Sequence, residues 1–258
     1  MTATPPAPPP STPSAAAASP APSAPSAPPK VDPEVRSRLA LALDVDDLVL
    51  ATRIARELQP WFGVAKVGLE LFSAAGSDAV VTLSELGYKV FLDVKLHDIP
   101  TTVRKAARVL GAVGASYLTL HAFGGVSMLR AGVEGLRDGA AAAGLPAPTA
   151  LAVTILTSDA GAPPHILGSR VKSAVEAGCG GVVCAAGDVR EAKQLAPRLL
   201  AVVPGIRPAG SDSDDQARTS TPQAALDAGA DLLVIGRPVT EAEDRSAAAA
   251  KLVAGITR

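Results

Sequence analysis

An α/β fold, a closed (β/α)8 TIM barrel forming a single domain, is predicted by three features of the 258-residue sequence. From Arg38 onward, short runs of Val, Leu and Ile alternate with longer helix-like stretches. These runs are continuously apolar rather than alternating, which suits strands of a parallel sheet covered on both faces. Unusual polar residues follow the runs, as they do when chemistry collects on the C-terminal rim of a barrel. A doubly wound open sheet satisfies the periodicity too, but eight such units fit closure better.

The first strand, 39–43, reads Leu-Ala-Leu-Ala-Leu and ends at Asp44. The second, 64–67, carries Lys66 inside it; the third, 90–94, contains Asp93 and is followed by Lys95. A fourth at 117–120 leads to His121, and a fifth at 150–156 to Thr157. The sixth, 181–184, ends in Cys184; the seventh, 200–203, leads to Arg207; the eighth, 232–235, to Gly236 and Arg237. Helices are expected near 47–59, 77–86, 101–112, 127–143, 165–177, 188–196, 221–228 and 240–256.

Residues 1–34 are of a different kind. They hold 12 of the 23 prolines, the rest being mostly Ala and Ser, and the first basic residue is Lys30. Such a segment buries too little apolar surface to offset its ordering entropy, so it reads as a disordered tail ahead of a barrel domain at 35–258. It lacks the early charge and apolar core of a secretory signal, and no stretch approaches the roughly 20 apolar residues of a membrane span. A formal net charge of −1 leaves no excess to attract nucleic acid or an anionic membrane. Cys179 and Cys184 have no partners at metal spacing and read as reduced, buried thiols of a cytoplasmic protein.

The segment Phe91-Leu92-Asp93-Val94-Lys95-Leu96-His97-Asp98 carries the most chemistry. Strand alternation puts Asp93 and Lys95 on one face, with Val94 turned toward the helices. Lys66 on the next strand and Asp44 from the first converge on the same mouth. Ionised groups in a dry core cost several kcal/mol each unless paired, and a mere plug needs only one pair, so this array reads as a site. His97 has the parity of Val94 and is expected to contact helices instead. At the opposite corner, Gly236 lets backbone N–H groups approach an oxyanion and Arg237 adds a charge-assisted contact. The polar stretch 209–216 between the last two strands has the composition of a lid that closes over a ligand.

Taken together, these residues resemble the orotidine 5′-phosphate decarboxylase family. The resemblance rests on Lys66-Val67-Gly68-Leu69-Glu70-Leu71-Phe72, Asp93-Val94-Lys95-Leu96-His97-Asp98-Ile99-Pro100-Thr101-Thr102-Val103 and Leu156-Thr157-Ser158. It extends to Pro204-Gly205-Ile206-Arg207-Pro208, Asp215-Gln216 and Gly236-Arg237-Pro238, in the family's order. Leu96 stands where Phe is frequent and Thr101 where Asn is, neither at a charged position. The resemblance implies conversion of orotidine 5′-monophosphate to UMP and CO2, with Lys95 protonating C6 and Asp93, Asp98 and Lys66 completing a charged array. It implies that Asp44 and Lys66 bind the ribose side, and that Thr157, or Ser158, meets the pyrimidine. Arg207, Gln216, Gly236 and Arg237 would hold the phosphate, and Asp98 and Thr102 would act in the neighbouring subunit of a homodimer.

No thiamine, pyridoxal or metal motif is visible, so no cofactor and no metal are expected, and the protein itself must stabilise the carbanion electrostatically. The alternative is a Mg2+-dependent keto-sugar 6-phosphate decarboxylase or synthase on the same barrel, which shares Asp93, Lys95 and Asp98 but needs further carboxylate ligands. Because the tail has neither apolar periodicity nor a site residue, deleting residues 1–30 should leave melting temperature and steady-state kinetics unchanged. A large loss in either would mean that the tail packs on the barrel.

Overall fold

The computed structural model describes residues 1–3, 31–159, 162, 163, 165–208 and 218–256. Eight parallel strands close into a barrel in sequence order: β1 (Leu39–Leu43), β2 (Val64–Val67), β3 (Lys89–Leu96), β4 (Tyr117–His121), β5 (Thr149–Val153), β6 (Gly181–Val183), β7 (Leu200–Val203) and β8 (Leu232–Ile235). The seam is the β1–β8 pairing, with Leu39 opposite Leu233 and Leu41 opposite Ile235. Outside lie α1 (Pro33–Ser37), α2 (Leu48–Leu58), α3 (Leu69–Ala75), α4 (Ser77–Glu85), α5 (Pro100–Ala112), α6 (Gly125–Ala142), α7 (His165–Ala177), α8 (Val189–Leu195), α9 (Pro222–Asp227), α10 (Arg237–Thr240) and α11 (Arg245–Ala254). No helix among the described residues is long and apolar enough to cross a membrane.

The strands are mostly apolar because both of their faces are covered. Leu39, Leu41, Leu43, Ala65, Val67, Val90, Leu92, Leu118 and Leu120 pack outward in the layer shared with the helices. The intervening residues Ala40, Ala42, Val64, Phe91, Leu151, Val202, Leu232 and Val234 form a separate cluster inside the barrel. Side-chain parity therefore decides which residues can reach the barrel mouth.

Four strands have the expected bounds, and the differences elsewhere have local causes. The fifth strand was expected to run to 156 but ends at Val153. Thr154 turns away there, its backbone N–H and its hydroxyl both donating to Val183 O at 3.0 and 2.9 Å, while Arg170 donates to Thr154 O. Ile155 and Leu156 are apolar because they line a cleft, not because they continue a ladder. The segment 69–85 folds as two helices, broken at Gly76, whose φ of +55° suits glycine. The last stretch is likewise split into α10 and α11. At the other end, α1 begins before the expected boundary of 34/35, with Pro33 at its first turn and Asp32 accepting from Glu34 N at 2.9 Å. Bonds from Arg36 to Gln59 O and from Arg38 to Ala230 O tie this turn to the chain entering β2 and β8. Residues 4–30, which carry nearly all of the expected tail, lie outside the described residues.

Helices α5 and α6 meet backbone to backbone. A Cβ added at Gly135 would lie 2.2 Å from Arg104 O, one at Gly139 1.9 Å from Arg108 O, and one at Gly111 2.2 Å from Leu136 O. Such contacts leave no room for a methyl group. Gly139→Ala is expected to cost about 1–3 kcal/mol through forced separation of the helices, a fall of about 2–12 °C in melting temperature. Calorimetry showing no change would mean that the pair yields without cost.

Candidate active site

The inward parity of β2, β3 and β4 places three polar side chains one layer above the apolar interior. Lys66 follows Val64, Asp93 follows Phe91 and Thr119 follows Tyr117. Lys66 is only 8% exposed, and its ammonium lies 2.8 Å from Asp44 Oδ1 and 3.9 Å from Asp93 Oδ2. The other oxygen of Asp93 lies 3.0 Å from Lys95 Nζ. The result is a chain of alternating charge, Asp44, Lys66, Asp93, Lys95, in which neither lysine is left without an anion.

Asp93 and Lys95 meet as expected, but not by simple alternation. Between the pairs Leu92–Leu118 and Leu96–Leu120, four residue steps on β3 oppose two on β4. Within this bulge Lys95 has φ +48°, making it the non-glycine residue with positive φ among those described. Such a conformation costs on the order of 1–3 kcal/mol and persists only where the surroundings enforce it. Lys95 N–H donates to Thr119 Oγ1 at 2.9 Å, and the Thr119 hydroxyl donates to Asp93 Oδ1 at 3.0 Å.

A cleft of about 540 Å³ opens at this rim. Its walls bring together Asp44, Lys66, Asp93, Lys95, Thr157, Arg207, Gly236 and Arg237. Thr157 lines the cleft, whereas Ser158 is not among its lining residues. Arg207 is 6% exposed, on a loop fixed by the Ile206–Ser220 bridge and by Gly205 at φ +77°. Gly236 caps α10, which begins at Arg237.

Asp98 and Thr102 are not among the cleft residues. Both are exposed, Thr102 in the first turn of α5 and Asp98 just before it, where Asp98 accepts from Ile99 N at 2.6 Å and Ile99 is 66% exposed. Gln216 and the expected lid at 209–216 lie outside the described residues. His97 packs against His121 and Phe123, with ring centroids 5.6 and 5.7 Å apart, and so stays out of the array. Burial first, and then the neighbouring Arg170, His97 and Lys95 side chains, push the His121 imidazole below its usual range, favouring the neutral form.

Three cleft-associated residues escape sequence reasoning. Thr119 gives the signal of a hydroxyl at an inward position in an otherwise apolar strand, but its partners depend on the bulge. Arg245 lines the cleft while bonding Thr240 O at 2.8 Å and lying 3.4 Å from Glu57, a contact that no sequence spacing announces. Cys184 also lines the cleft, yet it is 1% exposed and burial pushes its thiol up to about 12, so it is no nucleophile near neutral pH. Among the described residues, no group of three or more His, Cys, Asp or Glu side chains is arranged to hold a metal ion.

Fold and site together define a (β/α)8-barrel enzyme that works at the C-terminal rim. Residues 37–252 match the family described as orotidine 5′-phosphate decarboxylase / HUMPS, and the chain belongs to that family. A protein of Anaeromyxobacter dehalogenans named orotidine 5′-phosphate decarboxylase is 47% identical over 230 residues, spanning 85% of this chain and 98% of the relative. One of the same name from Moorella thermoacetica is 43% identical, over 86% and 92% of the two chains. The crystal structure of orotidine 5′-phosphate decarboxylase from Lactobacillus acidophilus superimposes with a TM-score of 0.70 at 35% identity, covering 84% of this chain and 97% of that one.

Proposed function

We propose that this chain decarboxylates orotidine 5′-monophosphate to UMP and CO2 for de novo pyrimidine synthesis, with Lys95 delivering the proton to C6. The family match alone spans two kinds of barrel enzyme, and the names of the relatives favour the decarboxylase. The observation that carries the reading is the Lys95 ammonium held 3.0 Å from Asp93 at the cleft rim. Breaking the C6–carboxylate bond leaves an electron pair on C6 in the plane of the ring, where the ring cannot delocalise it. A fixed ammonium beside that carbon stabilises the charge as it develops and then donates its proton; solvent later restores it. Asp93 aims Lys95, and Lys66 with Asp44 serves the ribose side. Thr157 meets the pyrimidine, while Arg207, Gln216, Gly236 and Arg237 take the phosphate. Phosphate contacts remote from C6 supply binding energy that assembles the reacting end. Residues 35–258 form the catalytic domain and 1–34 a tail without a catalytic role.

The ultraviolet absorbance change as orotidine 5′-phosphate becomes UMP tests the reading directly. Turnover should persist in the presence of a chelator, and Lys95→Ala should abolish it while leaving the melting temperature near wild type. Retention of a tenth of wild-type activity by Lys95→Ala would sink the assignment.

The working form is read as a cytoplasmic homodimer in which Asp98 and Thr102 enter the partner's site. In support, these residues sit on an exposed stretch carrying the apolar Ile99, outside their own cleft. Mixing Lys95→Ala with Asp98→Ala subunits tests this. Donation in trans gives each heterodimer one site with both lesions and one with neither, so activity should return to at most about half of wild type per site. Confirmed heterodimers that stay inactive would reject the shared site.

A further inference from the structure

We propose that Thr119, on the strand next to the charged array, is the positioning residue that fixes both Lys95 and Asp93 for proton delivery. The inference rests on the reading of Lys95 as the proton donor and assigns a role to a residue that does not itself touch substrate. The bulge in β3 removes the regular ladder partner that Lys95 N–H would have on β4. Thr119 Oγ1 takes that place at 2.9 Å. A hydroxyl offers one proton and two lone pairs, and an ionised carboxylate only accepts, so the proton is directed to Asp93 Oδ1 at 3.0 Å. One oxygen atom therefore clamps the left-handed backbone of the lysine and the carboxylate that orients its ammonium.

Several features make this more than a satisfied core hydroxyl. Thr119 is fully buried on a strand, where a β-branched residue is stiff about χ1, so its oxygen has little freedom to wander. Lys95 carries its ammonium at the end of a flexible four-carbon stem, which amplifies any tilt at its Cα. A misplacement of about 1 Å at the reacting atom costs on the order of 100-fold in rate. Valine has the shape of threonine without the hydroxyl, and serine keeps the hydroxyl without the methyl group, so the pair separates geometry from packing.

The test measures kcat, KM and melting temperature for Thr119→Val and Thr119→Ser, together with exchange of the C6 hydrogen of UMP in D2O. By microscopic reversibility that exchange runs through the same donor without any loss of CO2. Thr119→Val should lower kcat and C6 exchange by about 100-fold, keep KM within about 3-fold, and be restored to within about 3-fold of wild type in Thr119→Ser. Thr119→Ala serves under the same thresholds should the valine variant not fold. A hydroxyl-free variant with kcat within 3-fold of wild type would overturn the proposal. So would a serine variant as impaired as valine, since packing rather than the hydroxyl would then be at work. Lys95→Ala run alongside keeps the two readings apart: C6 exchange surviving in that variant refutes the proton donor itself, whereas its loss there with normal exchange in Thr119→Val refutes only the role of Thr119.

Discussion

Two ammonium groups, Lys66 and Lys95, share the single carboxylate of Asp93 at the mouth of an apolar barrel. Without that carboxylate, Lys95 would lose its anion and Lys66 would keep only Asp44, 2.8 Å away. With it, the Lys95 ammonium is held 3.0 Å from an anion and the charges alternate along the rim. The remainder of the rim is arranged around this condition: Asp44 neutralises the far side of Lys66, and Thr119 holds the near side of Asp93. The Lys95 ammonium is thus restrained twice, through its carboxylate partner and through its bulged backbone.

The helices govern a stretch just outside the cleft. Asp98 and Thr102 stand where β3 gives way to α5, so the height and tilt of α5 decide where they project. That tilt is set by glycines at 111, 135 and 139, which let α5 and α6 touch through their backbones. Stability and the placement of this stretch are thus coupled through a backbone contact away from the cleft, flanked by the Arg104–Asp138 pair at 3.0 Å.

Much of this was legible from the order of residues alone. Both-sided burial makes parallel strands continuously apolar, so the eight strands and their polar followers stood out, and Lys66, Asp93 and Lys95 do converge, although not by the alternation expected of a regular strand. What alternation misses is the bulge. It arises from a register shift between β3 and β4, and neither strand records that shift in its own sequence. Thr119 stayed hidden for the same reason, since its importance follows from the shift. The fifth strand was read too long because Ile155 and Leu156 are apolar for the sake of the cleft wall. Arg245 was invisible because its partner Glu57 comes from α2, 188 residues away, which only the closed barrel brings near α11.

The β1–β8 seam also governs when the protein becomes an enzyme during its synthesis. The charged array comes from the first half of the chain, between Asp44 and Thr119, whereas the corner with Arg207 and Arg237 comes from the last quarter. They face each other across one cleft only after Leu233 has paired with Leu39. A nascent chain on the ribosome can hold all four charges and still own no cleft, so catalytic competence arrives abruptly with the last strand. A copy lacking β8 lacks the partner that β1 and β7 both pair with, as well as Arg237 of the cleft.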